Sequence, residues 1–202
     1  YDAGFFRTKR NINVHLQHAA EEIFPAKRKI RVRDIQNGEI TEYPYTKLII
    51  ATGASPALPS IAGIELEGSF TLRDLNDGEI IAHYVENHNP VKALIIGAGY
   101  IGMEMAEVFS ELGMKVSMLE IKPDILEDFH PDLRERVLKT LNDRGVELIT
   151  SVSVKRFLGG AGTVSSAVLS ENHFIEADIV LLATGIKPET EVVKRCGIET
   201  AK

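Results

Sequence analysis

Ala93-Leu94-Ile95-Ile96-Gly97-Ala98-Gly99-Tyr100-Ile101-Gly102-Met103-Glu104-Met105-Ala106 is an apolar run that feeds a glycine turn into a helix-patterned stretch. Such a junction exposes backbone N–H groups and the positive end of a helix dipole, which together suit a diphosphate. In this pattern Gly97 permits the tight turn, Gly99 lets a pyrophosphate approach the backbone, and Gly102 lets helix and strand pack closely. A glycine pattern by itself is weak evidence. Here Lys115-Val116-Ser117-Met118-Leu119-Glu120 reads as a second strand ending in a carboxylate, at the separation expected of a group that grips an adenosine ribose.

Outward from this point the elements follow from periodicity and caps. The glycine-turn helix is expected to place Ile101, Met105, Phe109 and Leu112 on one side and to stop at Gly113, with Met103 and Met105 as packing groups. A second helix over about 132–144 starts at Pro131, ends at Gly145 and is expected to bury Leu133, Val137, Leu138 and Leu141. Asp74 caps a helix reaching about Asn87, with Ile80, Ile81, Tyr84 and Val85 as its apolar stripe, and Pro90 ends it. From Val91 to about Lys194 the order is strand, helix, strand, helix, strand, three-stranded meander, strand and short helix. This alternation predicts an α/β fold with a mostly parallel sheet and helices on both faces.

The chain also repeats itself. Residues 12–53 alternate short apolar runs with turn signals such as Asn37-Gly38 and finish in Lys47-Leu48-Ile49-Ile50-Ala51-Thr52-Gly53. Residues 146–185 do the same, through Gly159-Gly160-Ala161-Gly162 to Asp178-Ile179-Val180-Leu181-Leu182-Ala183-Thr184-Gly185. The spacing from Ala20 to Gly53 nearly equals that from Val154 to Gly185, so the two segments read as copies of one unit. The second copy is preceded by a glycine turn with its strands and helices. The equivalent nucleotide-binding unit for the first copy is expected upstream of Tyr1, in a larger protein. Between the copies, residues 54–71 carry glycines and the prolines Pro56 and Pro59 and read as a linker.

Composition excludes several classes. A hydrophobic share of 44% with 26% charged residues is that of an ordinary globular protein. A net charge of -6 argues against nucleic acid as a partner, and the basic cluster Lys27-Arg28-Lys29 with Arg31 and Arg33 reads as a solvated hairpin face. No apolar stretch reaches the roughly 18 residues that a membrane span requires, and no signal peptide is visible, so no membrane association and a cytoplasmic location are the expectation. The single cysteine, Cys196, excludes a redox pair within this chain and reads as a packing thiol. His15, His18 and the other histidines match no metal spacing, so no metal is expected.

Residues 95–106, with Leu-Ile-Ile-Ala-Thr-Gly-Ala-Ser-Pro at 48–56 and Leu-Leu-Ala-Thr-Gly-Ile-Lys-Pro-Glu-Thr at 181–190, resemble the two-dinucleotide flavoprotein disulfide reductases. Within that group the chain is most similar to the branch of coenzyme A disulfide reductases, NADH oxidases and NADH peroxidases. Thr71-Leu72-Arg73-Asp74-Leu75 also fits the branch. The resemblance implies a Rossmann-like NAD(P)H-binding domain, a parallel sheet with a β-meander, over residues 73–202. It implies the C-terminal part of a related FAD-binding domain over residues 1–72, comprising a meander and closing strand with the linker from about residue 54.

By the same resemblance, Gly97, Gly99, Tyr100, Ile101 and Gly102 would surround the NADH diphosphate, and Glu120 would bond the adenosine ribose. Val154 would face the adenine through its backbone, Gly185 would lie nearest the nicotinamide half, and Glu104 would approach the nicotinamide and flavin. Ala20 and Gly53 would make backbone contacts to FAD, and Arg73 would approach the flavin domain or serve as a surface ion-pair residue. A carboxylate at Glu120 repels a 2′-phosphate and favours NADH, whereas Lys122 nearby suits NADPH. No catalytic residue of the redox step is expected within the chain. The FAD glycine loop, the redox cysteine and the dimerisation domain of the family have no counterpart in it. The expectation is a homodimeric parent enzyme that takes hydride from NAD(P)H and reduces a disulfide such as coenzyme A disulfide, or oxygen or peroxide, with this chain a fragment of it that is inactive alone. A non-catalytic NADH-sensing module is the alternative, and a methyltransferase-type fold is disfavoured by the paired Ala-Thr-Gly endings.

Overall fold

The computed structural model describes residues 1–127, 129–170 and 173–200. Along the chain the elements are α1 (Ala3–Arg10), β1 (His18–Phe24), β2 (Lys29–Asp34), β3 (Ile40–Pro44), β4 (Ala54–Pro56) and β5 (Ser69–Thr71). There follow α2 (Leu75–His88), β6 (Lys92–Ile96), α3 (Tyr100–Glu111), β7 (Lys115–Leu119), α4 (Pro131–Asp143) and β8 (Glu147–Ile149). The last are β9 (Arg156–Gly160), β10 (Thr163–Ser170), β11 (His173–Glu176), β12 (Ile179–Leu182), β13 (Ile186–Pro188) and α5 (Glu191–Arg195). Two compact units result, Tyr1–Ala54 with Pro188–Lys202 and Ser55–Lys187.

The second unit is built on a parallel sheet of order β5-β12-β6-β7-β8. Side chains alternate across it, as the pleat requires. Ala93, Ile95, Ile179 and Leu181 point into one apolar cluster with Ile81 and Tyr84 of α2, Phe109 of α3 and Leu141 of α4. Leu94, Ile96, Val180 and Leu182 point into another with Phe157, Val164 and Ala167 of the β9–β10–β11 meander. Burying both faces explains why β6 and β12 are near-continuous apolar runs. It also corrects one expectation: α2, α3 and α4 share one face, and the antiparallel meander, rather than helices, covers the other.

Helix faces need a similar correction. In α3 the buried residues are Gly102, Ala106 and Phe109, whereas Ile101 is 38% and Leu112 59% exposed. The small residues face the sheet because Gly102 must approach the backbone of the glycine turn closely. In α4 Leu141 is the buried leucine, and Leu133 and Leu138 remain exposed. Helix α2 matches its signals, since the Asp74 side chain accepts from Asp77 N and the chain leaves through Asn89 in the left-handed region, although Ile80 faces outward. The Tyr84 hydroxyl donates to Asp178 O at 3.0 Å, and the Asp178 carboxylate accepts from Val91 N and Lys92 N, tying α2 to the start of β6.

Residues 55–71 are not a free linker. Phe157 N donates to Ala62 O, single bridges join Ala62 to Arg156 and Glu67 to Thr163, and β5 forms an edge of the sheet. Ile61, Ile64 and Leu66 pack on the meander-side cluster. The boundary between the two units accordingly falls after Ala54 and again before Pro188, away from residue 72.

The first unit is an antiparallel β1-β2-β3 sheet, with a bulge between Ala20 and Glu22, and α5 packs against β1. Among its described residues the buried hydrophobic ones are Ile23, Val32 and Val193 of α5. The basic cluster is solvated and paired: Arg31 with Glu22 at 2.6 Å, Arg33 with Glu21 at 2.6 Å and Lys29 with Glu42 at 3.1 Å. The expected closing strand at residues 47–53 does not form. Among the described residues no helix is long and apolar enough to cross a membrane.

Candidate functional site

Strand β6 delivers the chain into Gly97, whose φ of +106° an L side chain rarely adopts. A Cβ there would lie 2.4 Å from Ala183 O, and one at Gly102 would lie 2.1 Å from Gly97 O. Both glycines are therefore required by the protein's own packing. Gly99 differs. It caps α3 with extended backbone, and a Cβ there would meet nothing within 4 Å. Its lack of a side chain serves no internal contact and leaves room at the mouth of a helix N-terminus. Gly99 supplies no side-chain cap, and first-turn N–H groups have no intrahelical partner.

Glu120, at the end of β7, closes the other side of this mouth. Its Oε2 accepts from Ala98 N at 2.9 Å and its Oε1 from Lys122 N at 2.9 Å. Gly97 N donates to Leu119 O at 2.7 Å and Glu120 N to Ile149 O at 2.9 Å, so the two strand ends and the glycine turn are held as one body. Each carboxylate oxygen keeps further lone-pair capacity for a diol.

Gly97, Gly99, Glu120, Val154 and Gly185 line one cavity of about 970 Å³. Val154 is buried in the meander-side cluster, so its backbone is what it can offer there. Gly185 adopts φ +97°, with open space where a Cβ would stand, and its carbonyl accepts from Ala57 N while the Thr184 hydroxyl donates to Ala57 O at 2.7 Å. Tyr100 lines a smaller adjoining cavity of about 220 Å³, which also holds Gly99 and Glu120. A strand–glycine–helix mouth with an acid on the neighbouring strand can hold a diphosphate at one point and a ribose at the next.

Known proteins resemble the chain as a whole. The profile described as pyridine nucleotide-disulphide oxidoreductase matches residues 4–202. The chain belongs to the pyridine nucleotide-disulphide oxidoreductase family. Among relatives, it is 32% identical over 198 residues to an NADH oxidase of Methanocaldococcus jannaschii, which covers 98% of this chain and 44% of that protein. It is 34% identical to an NAD(P)H coenzyme A polysulfide/persulfide reductase of Pyrococcus horikoshii, covering 98% of this chain and 43% of the relative. Among solved structures, an NAD-dependent persulfide reductase from A. fulgidus superposes with a TM-score of 0.87 at 34% identity, covering 100% of this chain and 37% of that one. The chain spans less than half the length of these relatives. Its α/β architecture is the Rossmann-like one of FAD- and NAD(P)-binding oxidoreductases.

In this member of the pyridine nucleotide-disulphide oxidoreductase family, the other residues expected on α3 do not line the cavity themselves but follow directly on Gly99, which does. Gly102 is buried under the turn, Ile101 is partly exposed and Glu104 stands on the exposed side of α3. In the first unit, Ala20 and Thr52 line a cavity of about 470 Å³ with Glu21, Glu189 and Arg195. Gly53 has φ +74°, and its carbonyl accepts from Glu189 N, whose own carbonyl receives the Thr52 hydroxyl at 2.5 Å. Among its described residues this unit has no strand–glycine–helix cradle. Cys196 caps α5, its thiol donating to Val193 O at 3.0 Å.

Sequence reasoning missed part of the cavity wall. Pro56, Ala57 and Pro59 line it from the segment read as a linker, and Lys187 adds a cation beyond Gly185. The signal was present in the two prolines, which fix extended backbone, but nothing local said what that backbone lies against.

Proposed function

We propose that the second unit binds NADH and that the protein is an FAD-dependent oxidoreductase that draws hydride from NAD(P)H. Its electrons would go to a disulfide such as coenzyme A disulfide, or to oxygen or peroxide. The observation that carries this reading is Gly99: its missing side chain leaves open space at a helix N-terminus, beside the Glu120 carboxylate. The relatives' names, NADH oxidase and NAD(P)H coenzyme A polysulfide/persulfide reductase, support the same chemistry.

In this reading Gly97, Gly99, Tyr100, Ile101 and Gly102 surround the diphosphate, and Glu120 accepts hydrogen bonds from the adenosine ribose. The Val154 backbone faces the adenine, Gly185 lies nearest the nicotinamide half, and Glu104 approaches the reacting end. The carboxylate of Glu120 disfavours a 2′-phosphate, so NADH is preferred to NADPH. In the first unit Ala20 and Gly53 offer backbone contacts to FAD, without a diphosphate cradle of their own. When bound, nicotinamide and flavin supply the hydride chemistry, and the protein contributes placement. The first unit then serves the FAD side and the second, in which residues 55–72 join 73–187, the NAD(P)H side. Homodimerisation through a further domain and a cytoplasmic location complete the proposal.

Titration of the purified chain with NADH and with S-adenosylmethionine, followed by calorimetry, tests the reading. Binding of NADH alone is expected. Binding of S-adenosylmethionine without NADH would overturn it.

A further inference from the structure

The loop after Glu120 carries a second acid that the dinucleotide reading leaves unused. Lys122 Nζ donates to Glu127 Oε2 at 2.7 Å, while the Lys122 backbone N–H donates to Glu120 Oε1 at 2.9 Å. Lys122 thus meets Glu127 through its ammonium and Glu120 through its backbone. Gly99, Glu120 and Lys122 line both the larger and the smaller cavity, and Glu127 lines the smaller. Lys122 is therefore the cation lining both cavities where the adenosine ribose would sit.

Glu127 is held close to this point. Ile125, two residues earlier, is 2% exposed and belongs to the helix-side core cluster. Asp124 pairs with Arg134 of α4, and Phe129 N donates to Leu126 O at 2.8 Å, which closes the turn. The Tyr100 and Phe129 rings stand 5.8 Å apart along the same cavity. Anchors at Ile125 and Leu126 hold the backbone that carries Glu127, whose Oε2 stands 2.7 Å from Lys122 Nζ.

We propose that Glu127 is a second coenzyme-selectivity residue: by engaging the Lys122 ammonium beside Glu120, it keeps that cation from pairing with a 2′-phosphate. The inference rests on the proposed NADH site. A 2′-phosphate is repelled by Glu120 and gains from Lys122 only to the extent that the ammonium is not already compensated. Glu127 supplies that compensation and adds a further negative charge. The pair is partly exposed, with side-chain exposures of 60% and 45%, so its effect is modest and screened by salt.

Dissociation constants for NADH and NADPH, measured by calorimetry at low salt on the full chain, test the assignment in wild type, Glu127→Gln, Lys122→Met and the double variant. Glu127→Gln is expected to lower the NADPH-to-NADH ratio of dissociation constants by about threefold to fivefold, the size of one exposed ion pair. Glu127→Lys moves the ratio further the same way. In the Lys122→Met background the Glu127→Gln effect shrinks toward unity. An unchanged ratio in Glu127→Gln, or an effect that persists undiminished without Lys122, overturns the inference while leaving the NADH site standing. Failure of the wild type to bind either coenzyme removes both.

Discussion

Leu48-Ile49-Ile50-Ala51-Thr52-Gly53 and Val180-Leu181-Leu182-Ala183-Thr184-Gly185 share a pattern and differ in surroundings. Val180 and Leu181 are 0% and 1% exposed, with β5 on one side and β6 on the other, whereas Ile49 is 91% exposed and its segment forms no strand. A parallel strand exists only through its neighbours' hydrogen bonds, and among the described residues no strand lies beside 48–50. The Thr-Gly ends, in contrast, behave alike. Thr184 and Gly185 clamp Ala57, Thr52 and Gly53 clamp Glu189, and each clamped residue lies four positions beyond the other motif's glycine. Local polar geometry repeats where the sheet environment does not.

The sharpest way to break this contrast is truncation. Leu181→Ala should cost about 2–5 kcal/mol in urea unfolding, as buried leucine truncations do, while Ile49→Ala stays within about 0.5 kcal/mol. Equal losses would mean that both runs are buried. The glycines give the next contrast. Gly97→Ala combines a left-handed φ with a clash against Ala183 O and should cost about 2–4 kcal/mol, whereas Gly185→Ala, with open space where its Cβ would stand, should pay for φ alone, about 1–2 kcal/mol. Gly99→Ala should change stability by less than about 0.5 kcal/mol yet weaken NADH binding about tenfold or more, read by calorimetry.

The clamps should respond equally. Thr184→Val and Thr52→Val each lose one hydroxyl-to-carbonyl bond, about 0.5–1 kcal/mol in thermal unfolding, and a clear inequality would show that the two motifs are not equivalent. The smallest contrast is in pH. Hydrogen bonds from Arg33 to Glu21 and from Lys29 to Glu42 hold these carboxyls below the ordinary glutamate value of 4.5. A lowered folded pKa adds stability above the unfolded value and loses it as pH falls through the folded one, so β1–β3 should lose protection below about pH 4.5. In the second unit the hydrogen bond to Glu176 raises Lys92, and burial raises Tyr84. Those contributions are present at neutral pH and are lost as pH rises through the folded values, beyond about 10. Amide exchange should accordingly show acid loosening of the first unit and alkaline loosening of the second, and the reverse order would refute the assignment.

Much of the cavity was legible because its residues obey local rules. Gly97 and Gly102 need special backbone, Glu120 ends a strand, and Asp74 caps a helix, all within a few residues of sequence. What escaped were facing choices. A period of 3.6 places Ile101 and Phe109 on nearby faces of α3, and it took the approach of Gly102 to the turn to rotate Ala106 inward and Leu112 outward. The role of Ala57 escaped for a related reason, since its partner Thr184 is remote in sequence.

The sequence by itself determined the glycine turn, the acid opposite it, the caps and the doubled Ala-Thr-Gly pattern, because each depends on backbone conformation or charge within a short window. Only the tertiary structure decided which of two similar apolar runs became a strand, that a meander rather than helices covers the second sheet face, and that a proline-marked segment walls the cavity. Those outcomes depend on what is buried against what, and burial is a property of neighbours distant in the chain.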